Sequence, residues 1–245
     1  MSGHSKWHSI KRKKGAADAK RGAEFTRLAN AVAIAAKDGA DPEMNFKLRL
    51  AIDKAKAANM PNVNIEKSIA RGSGQLGGAQ IQEVVYEGYG PGGVAVIVEC
   101  ATDNKNRTLS DVRNAFNKGG GNMAESGAVA FQFSKKGIVV LKPGDKDTSM
   151  LNAIDAGVDD IEEDEGTLTL YTTANQLNNI RSKLEDLGEV IESAELAFVP
   201  NTTVPIGELS TAQKIVNLID ALEELDDVSN TTNNADIDTS IIESM

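Results

Sequence analysis

His4 and His8 are the only histidines of this chain and Trp7 is its only tryptophan, so all three fall within the first eight positions. Lys6 stands among them, Lys11, Arg12, Lys13 and Lys14 follow directly, and Lys20, Arg21 and Arg27 come soon after. The chemistry that such a set can do is recognition of a polyanion. Lys and Arg replace the counterions condensed on phosphates, while an indole and two imidazoles offer flat faces on which unpaired bases stack. Gly3, Gly15 and Gly22 break the segment, so residues 1–22 are expected to form a mobile basic arm that orders on its target. A tail that merely solubilises accounts for the KRKK run alone about equally well. It does not account for an exposed Trp with no core to fill. A second basic set, Lys105, Arg107 and Arg113 with Lys118, lies beyond residue 100 and joins the candidates for nucleic-acid contact.

Other chemistries find little support. No histidine lies outside positions 4 and 8, which removes Cys–His and Ser–His nucleophile pairs from the body of the chain. No carboxylate or lysine pair is singled out for acid–base work, and no enzyme is expected. Gly88, Gly90 and Gly93 of GYGPGG satisfy G-x-G-x-x-G, but that fingerprint needs a helix directly behind it to hold a pyrophosphate. Pro91 and the apolar run VAVIVEC follow instead, which reads as a tight strand–strand connection. DDIEEDEG lacks EF-hand spacing, and Ile161 within it is expected to point inward, so a solvated strand end is read there rather than a metal site. Ser2-Gly3-His4, with Met1 removed, has the groups of a square-planar Cu(II) or Ni(II) site, but so short a motif arises by chance. Cys100 is read as a buried structural thiol. No cofactor, metal or small-molecule substrate is expected.

The charge is split along the chain. Residues 1–72 hold fifteen Lys or Arg against seven Asp or Glu, a net of +8, whereas residues 73–245 hold eleven against twenty-nine, a net of −18. Such a reversal points to a polyanion-binding end and a solvated remainder that can face protein. A single cysteine fits a reducing compartment. No run approaches the ~18 apolar residues of a membrane span, and Asp18 and Glu24 interrupt a transit-peptide pattern. The chain is expected to be cytoplasmic, with no membrane partner.

The elements that must carry these residues follow from periodicity. Phe25, Leu28, Val32 and Ala35 line one face of a helix that Gly39 ends. Asp41-Pro42 reads as the cap and first position of a second helix, with Met44, Leu48, Ala51, Ile52 and Ala55 as its stripe. Asn62 or Asn64 opens a third, reaching Gly72. Residues 23–72 are thus expected to be a three-helix domain, and 73–80, starting in GSGQLGG, a glycine-rich linker. Beyond it EVVYE and VAVIVEC read as strands, RTLSDVRNAFNKGGG as a helix with a Thr108–Asp111 capping box, and AVAFQF, SKKG and IVVL as strand, turn and strand. From IVVL onward the order β-α-β-β-α-β is ferredoxin-like. The preceding strands lack a second helix, which residues 210–225 supply. The fold class expected is α+β: a small helical domain, then two α/β domains of ferredoxin-like character. The domain at 136–199 is inserted into one made of 81–135 plus 200–240.

GHSKW at 3–7, DAKRG at 18–22, ARG at 70–72, YEGYGPGG at 86–93, DNKNRT at 103–108, GGG at 119–121 and FSKKG at 133–137 together resemble the YebC family, which includes the mitochondrial translational activator of cytochrome c oxidase. The match covers nearly the whole chain. The resemblance implies one helical and two α/β domains, no catalysis, and one of two roles. One is a DNA-binding transcriptional regulator; the other is a ribosome-bound factor that helps translation past proline-rich stretches. SNTTNNADI at 229–237 departs from the Val-Tyr and His usual in the family, so contacts made there by relatives are not expected here. Duplex reading usually wants a basic domain with a recognition helix. A basic arm on an acidic body suits structured RNA better, so ribosomal RNA or tRNA is the favoured partner, with ribosomal proteins facing the acidic domains and DNA as the alternative.

Overall fold

A computed structural model describes residues 19–77, 80–164 and 166–244. Helices α1 (Ala19–Ala35), α2 (Phe46–Ala57) and α3 (Asn62–Gly72) form the first unit. Its core is Leu28, Val32, Ala35, Leu48, Ile52, Ala55, Met60 and Ile65, the stripes set by three- and four-residue spacing. Residues 19–22, assigned above to the arm, belong to α1: the ~1 kcal/mol cost of Gly22 inside a helix is small beside the alanine-rich stretch around it. The start of α2 also differs from expectation. The Asp41 side chain accepts from Glu43 N, closing a turn. The cap is Asn45, whose Oδ1 accepts from Leu48 N while its Nδ2 donates to Ala35 O and Gly39 O. An amide can both accept and donate, so one side chain closes the end of the preceding helix and the beginning of the next. An aspartate cannot.

Gly72, of the ARG motif, lies where α3 crosses α1. A Cβ there would stand 1.9 Å from Ala33 O. Backbone cannot yield as a side-chain tip does, so Gly72→Ala must part the two helices. Overpacking usually costs ~1–3 kcal/mol, and this contact places the expected loss at the upper end, read as a lower urea midpoint. Gly144→Ala, whose Cβ would meet nothing nearer than 3.9 Å, should stay within about 0.5 kcal/mol. Equal midpoints for the two variants would refute the close crossing.

The chain continues through β1 (Gln82–Tyr89), β2 (Ala95–Thr102), α4 (Lys105–Lys118) and β3 (Asn122–Ala124). It then leaves for a second sheet: β4 (Phe133–Leu141), α5 (Lys146–Ala156), β5 (Asp160–Asp164), β6 (Thr167–Thr173), α6 (Leu177–Asp186) and β7 (Ile191–Pro200). It returns as β8 (Val204–Ile206), α7 (Leu209–Glu223), β9 (Val228–Asn233), β10 (Ala235–Ile237) and α8 (Thr239–Glu243). The first sheet has the order β3-β1-β2-β9 and the second β5-β6-β4-β7, all neighbours antiparallel. β8 and β10 form a short parallel pair. The class is therefore α+β with one α/β domain carried inside another.

In the first sheet, Val94, Val96, Val98 and Cys100 face Val112 and Phe116 of α4 and Ile215, Leu218, Ile219 and Leu222 of α7. The opposite face puts Ala95 and Ile97 against Val129, Phe133 and Phe198, and Ala101 against Ala33 and Ile81. β2 is covered on both sides, which is why its sequence is apolar without alternation. In the second sheet, Val139, Leu141, Leu168 and Leu170 meet Ala153, Ile180 and Leu184 of α5 and α6.

Three local readings need correction. SKKG is no turn: β4 runs straight through it. Gly137 is there because a Cβ would come within 2.8 Å of Leu177 and Thr172, so glycine marks close helix approach inside a strand. AVAFQF is not one strand: its Ala130–Gln132 is a 3-10 turn, because Glu87 takes the Val129 and Ala130 N–H groups a ladder would need. Finally, α4 is capped by Asn104, which accepts from Arg107 N, not by Thr108. Thr108 Oγ1 instead bonds Thr102 and Asp227.

Candidate nucleic-acid interface

His4, Lys6, Trp7, His8, Lys11, Arg12, Lys13 and Lys14 lie outside the described residues. Lys20 and Arg21 fall in the first turn of α1. Arg27 has been put to another use: its Nη1 donates to Glu223 O at 2.8 Å, tying α1 to the end of α7.

The second basic set is divided by the fold. Arg107 lies in a carboxylate grip, donating to both oxygens of Asp227 at 2.8–2.9 Å through Nη2 and to Asp103 at 2.9 Å. The same Asp227 accepts from Thr102 and Thr108. Hydrogen bonds to the two carboxylates, with Asp227 foremost, raise the guanidinium's pKa further. DNKNRT thus clasps the start of α4 to the turn before β9. Lys105 and Arg113 are exposed on α4. Among the described residues neither has an ion pair. Sequence reasoning passed over Asn106, Ser110, Asn114 and Asn117, which share an exposed α4 face with Arg113. The signal was their three- and four-residue spacing.

The glycine motifs hold the scaffold. Gly92 and Gly93 adopt φ of 74° and 76° in the loop between β1 and β2. Gly90 N donates to Val94 O at 2.7 Å, and β2 follows directly, so the loop offers no helix N-terminus to a phosphate. A Cβ on Gly121 would lie 2.6 Å from Tyr89 O and one on Gly88 2.6 Å from the Phe116 ring. YEGYGPGG and GGG are two sides of one tight packing. Between them Glu87, 4 % exposed, accepts from Gly127, Val129 and Ala130 N at 2.6–2.8 Å. Burial pushes its carboxyl up, but the three N–H donors outweigh this and hold it below the usual value.

The three units meet around a cleft of about 710 Å³ lined by Lys37, Lys47, Lys54 and Lys135 with Glu83, Glu99 and Glu195, among others. Each lysine has a partner: Lys37 donates to Ile81 O, Lys47 pairs with Asp38, Lys54 with Glu195, and Lys135 lies over the Phe198 ring. Glu195 raises the Lys54 pKa against the opposing effect of burial, and burial raises the Glu99 carboxyl although Asn230 and Lys135 favour its charge. Arg181 of α6 pairs with Asp53 of α2 beside this joint. Lys54–Glu195 and Lys37–Ile81 O join different units, whereas Lys47–Asp38 and Lys135–Phe198 each lie within one.

Burial pushes the Cys100 thiol up to about 12, so thiolate chemistry is closed to it. No group of three His, Cys, Asp or Glu there is arranged to hold a metal ion. Ile161 packs inward as expected, while Glu163 pairs with Lys146. None of the described helices is long and apolar enough to cross a membrane.

Fold and site together define a multidomain α+β protein whose described body is braced and acidic. Two family descriptions match the chain: "TACO1/YebC protein N-terminal domain" over residues 5–75 and "TACO1/YebC second and third domain" over 81–235. The chain belongs to the TACO1/YebC family. A "Probable transcriptional regulatory protein" of Dehalococcoides mccartyi is 51% identical over 246 residues, covering 99% of this chain and 98% of that one. Its namesake in Persephonella marina is 49% identical, covering 99% of both. The crystal structure of a conserved hypothetical protein from Aquifex aeolicus superposes with a TM-score of 0.85 at 44% identity, covering 90% of this chain and 92% of that one.

Proposed function

We propose that this chain is a non-enzymatic regulator of gene expression that binds nucleic acid through its N-terminal arm and acts on the ribosome, relieving stalls at proline-rich stretches. The observation that carries this reading is where usable cations remain. In the body, Arg27 and Arg107 are committed to protein groups, and each lysine of the central cleft has a partner. Residues 1–18 carry five Lys or Arg, both His and the only Trp. The printed names of the relatives favour a transcriptional role and make duplex DNA the second reading. Against it, α4 presents only Lys105, Arg113 and Lys118 as exposed cations outside the Asp227 grip, few for a helix reading a groove. Lys20 and Arg21 would continue the arm's charge into α1, and the acidic domains would face ribosomal proteins. The cytoplasm is the expected compartment. Sedimentation with ribosomal subunits and mapping of RNA crosslinks tests the proposal. Crosslinks confined to duplex DNA would replace it with the second reading.

Trp7 separates the two targets, because only unpaired bases expose a face. Stacking is worth ~1–3 kcal/mol per base, so Trp7→Ala should weaken binding to single-stranded or looped RNA roughly 5- to 150-fold. Duplex DNA measured at the same salt should lose almost nothing. Equal losses on both targets would rule out stacking.

A further inference from the structure

A groove of about 330 Å³ lies on the helical unit between α1 and α3. The two helices touch where Gly72 meets Ala33, and the groove runs back from that crossing towards Phe25 and Asn64. Phe25, Ala29 and the buried Met60 give it an apolar floor, and Leu76, 61 % exposed, stands beside them. Lys67 and Arg71 line it from α3, four positions apart and so on adjacent turns of one face. Every described residue that lines it belongs to the helical unit, so the other two domains do not wall it. Its charge sets it apart. In a chain of net charge −10, no Asp or Glu is among the described residues lining this groove. The central cleft, by contrast, sets its four lysines against Asp38, Glu83, Glu99 and Glu195. Glu66 falls on the opposite side of α3 by helical spacing. Among the described residues neither Lys67 nor Arg71 is in an ion pair. Arg71 donates through Nη2 to the neutral side chain of Asn30, which leaves most of its five-donor fork for another acceptor. Burial lowers its pKa, and the charge of Asp103 offsets this only in part.

We infer that this groove holds one unpaired nucleotide of a single-stranded RNA, its flanking phosphates on Lys67 and Arg71 and its base on the apolar floor; the assignment rests on the RNA reading proposed above. Three observations select that occupant. The two cations call for an anion, and the described residues lining the groove supply none. The floor beside them is apolar and includes an aromatic ring, which suits a base whose face is exposed and not one stacked in a duplex. The volume falls in the range of small-ligand sites, so it takes a nucleotide and not a helix. The place is also right. Phe25 lies six positions after Ala19, the first residue of α1, or about 9 Å along the helix axis. A strand held by the residues that precede α1 therefore needs only a short continuation to enter the groove. The arm supplies long-range attraction, and the groove supplies a fixed seat.

The test uses the full chain and a poly-uridine single strand at about 0.1 M salt. Two phosphate contacts add about −1.4 to the slope of log K against log salt, so Lys67→Gln with Arg71→Gln should weaken binding roughly 25-fold. Lys67→Gln alone should cost about 5-fold. Because Lys67 is exposed, this single variant serves if loss of the Arg71–Asn30 bond unfolds the double one, as circular dichroism would show. Lys56→Gln, an exposed cation of α2 outside the groove, should change nothing. Leu76→Ala should cost a few-fold on the single strand and nothing on duplex RNA. A thiouridine-containing strand should crosslink within residues 25–29 or 60–76 as well as to the arm. Unchanged affinity in the folded Lys67→Gln and double variants overturns the inference, as do crosslinks confined to residues 1–21. Both of these results leave the arm as the RNA site and the proposed function standing. Polyglutamate that displaces the strand from wild type but not from the Lys67→Gln chain would assign the groove to an acidic protein segment and also overturn it. A full chain that binds no single strand at all overturns the proposed target and the groove together.

Discussion

Replacing Lys11, Arg12, Lys13 and Lys14 together by Gln is expected to weaken binding to single-stranded RNA roughly 600-fold at about 0.1 M salt. The magnitude comes from counterion release. Each phosphate contact on a single strand contributes about −0.7 to the slope of log K against log salt, so four contacts give about −2.8 over the decade below 1 M. The measured slope should fall from about −5 for the five arm cations together with Lys20 and Arg21 to about −2. Unlike Trp7→Ala, this change acts through long-range attraction and should hurt single-stranded and duplex targets alike. An unchanged slope would move the site off the arm and onto α4, where Lys105 and Arg113 remain exposed.

Glu87→Ala should be among the most damaging single changes to stability. It removes a carboxylate that satisfies three backbone N–H groups, leaving donors that each cost ~1–3 kcal/mol when buried without a partner. A loss of about 3–5 kcal/mol, a large share of a typical total of ~5–15 kcal/mol, is expected in urea unfolding. The effect has a pH signature. The carboxyl is held below its usual 4.5 in the folded state, so its contribution is full above that value and is lost as pH falls through the depressed one. Glu87→Gln resembles the protonated acid. The gap in unfolding midpoint between wild type and Glu87→Gln should therefore be widest near neutral pH and close on acidification. A gap that stays constant down to about pH 3 would show that the charge itself contributes nothing.

Much of the fold was legible because the strongest signals were local. The stripe Phe25, Leu28, Val32 and Ala35, the run VAVIVEC, and the β-α-β-β-α-β order were all read correctly as elements. The insertion followed from counting helices per sheet. What failed did so where a distant group decided. Gly137 reads as a turn residue until Leu177 is seen above it. Asp41-Pro42 is a good cap by type but cannot donate to Ala35 O and Gly39 O as Asn45 does. The site was less legible than the fold. Arg107 and Arg113 look alike in sequence, and only the return of the chain at Asp227 separates a clasped guanidinium from an exposed one. Arg27 is committed in the same way, by Glu223 O nearly two hundred residues later.

The inserted domain also sets a timetable for synthesis. β2 ends at Thr102, and its neighbour β9 begins only at Val228. At ~5–20 residues per second, the 125 positions between them take roughly 6–25 s to emerge. Until Leu209–Glu223 is made Val96, Val98 and Cys100 lack α7, and throughout the wait one edge of β2 has no strand to pair with. The inserted domain has every strand and helix of its own once Pro200 is made, so it can fold while its host is still open. The oldest part of the sheet is thus finished last, and a nascent chain paused between residues 102 and 228 presents a bare, apolar, pairing-competent edge.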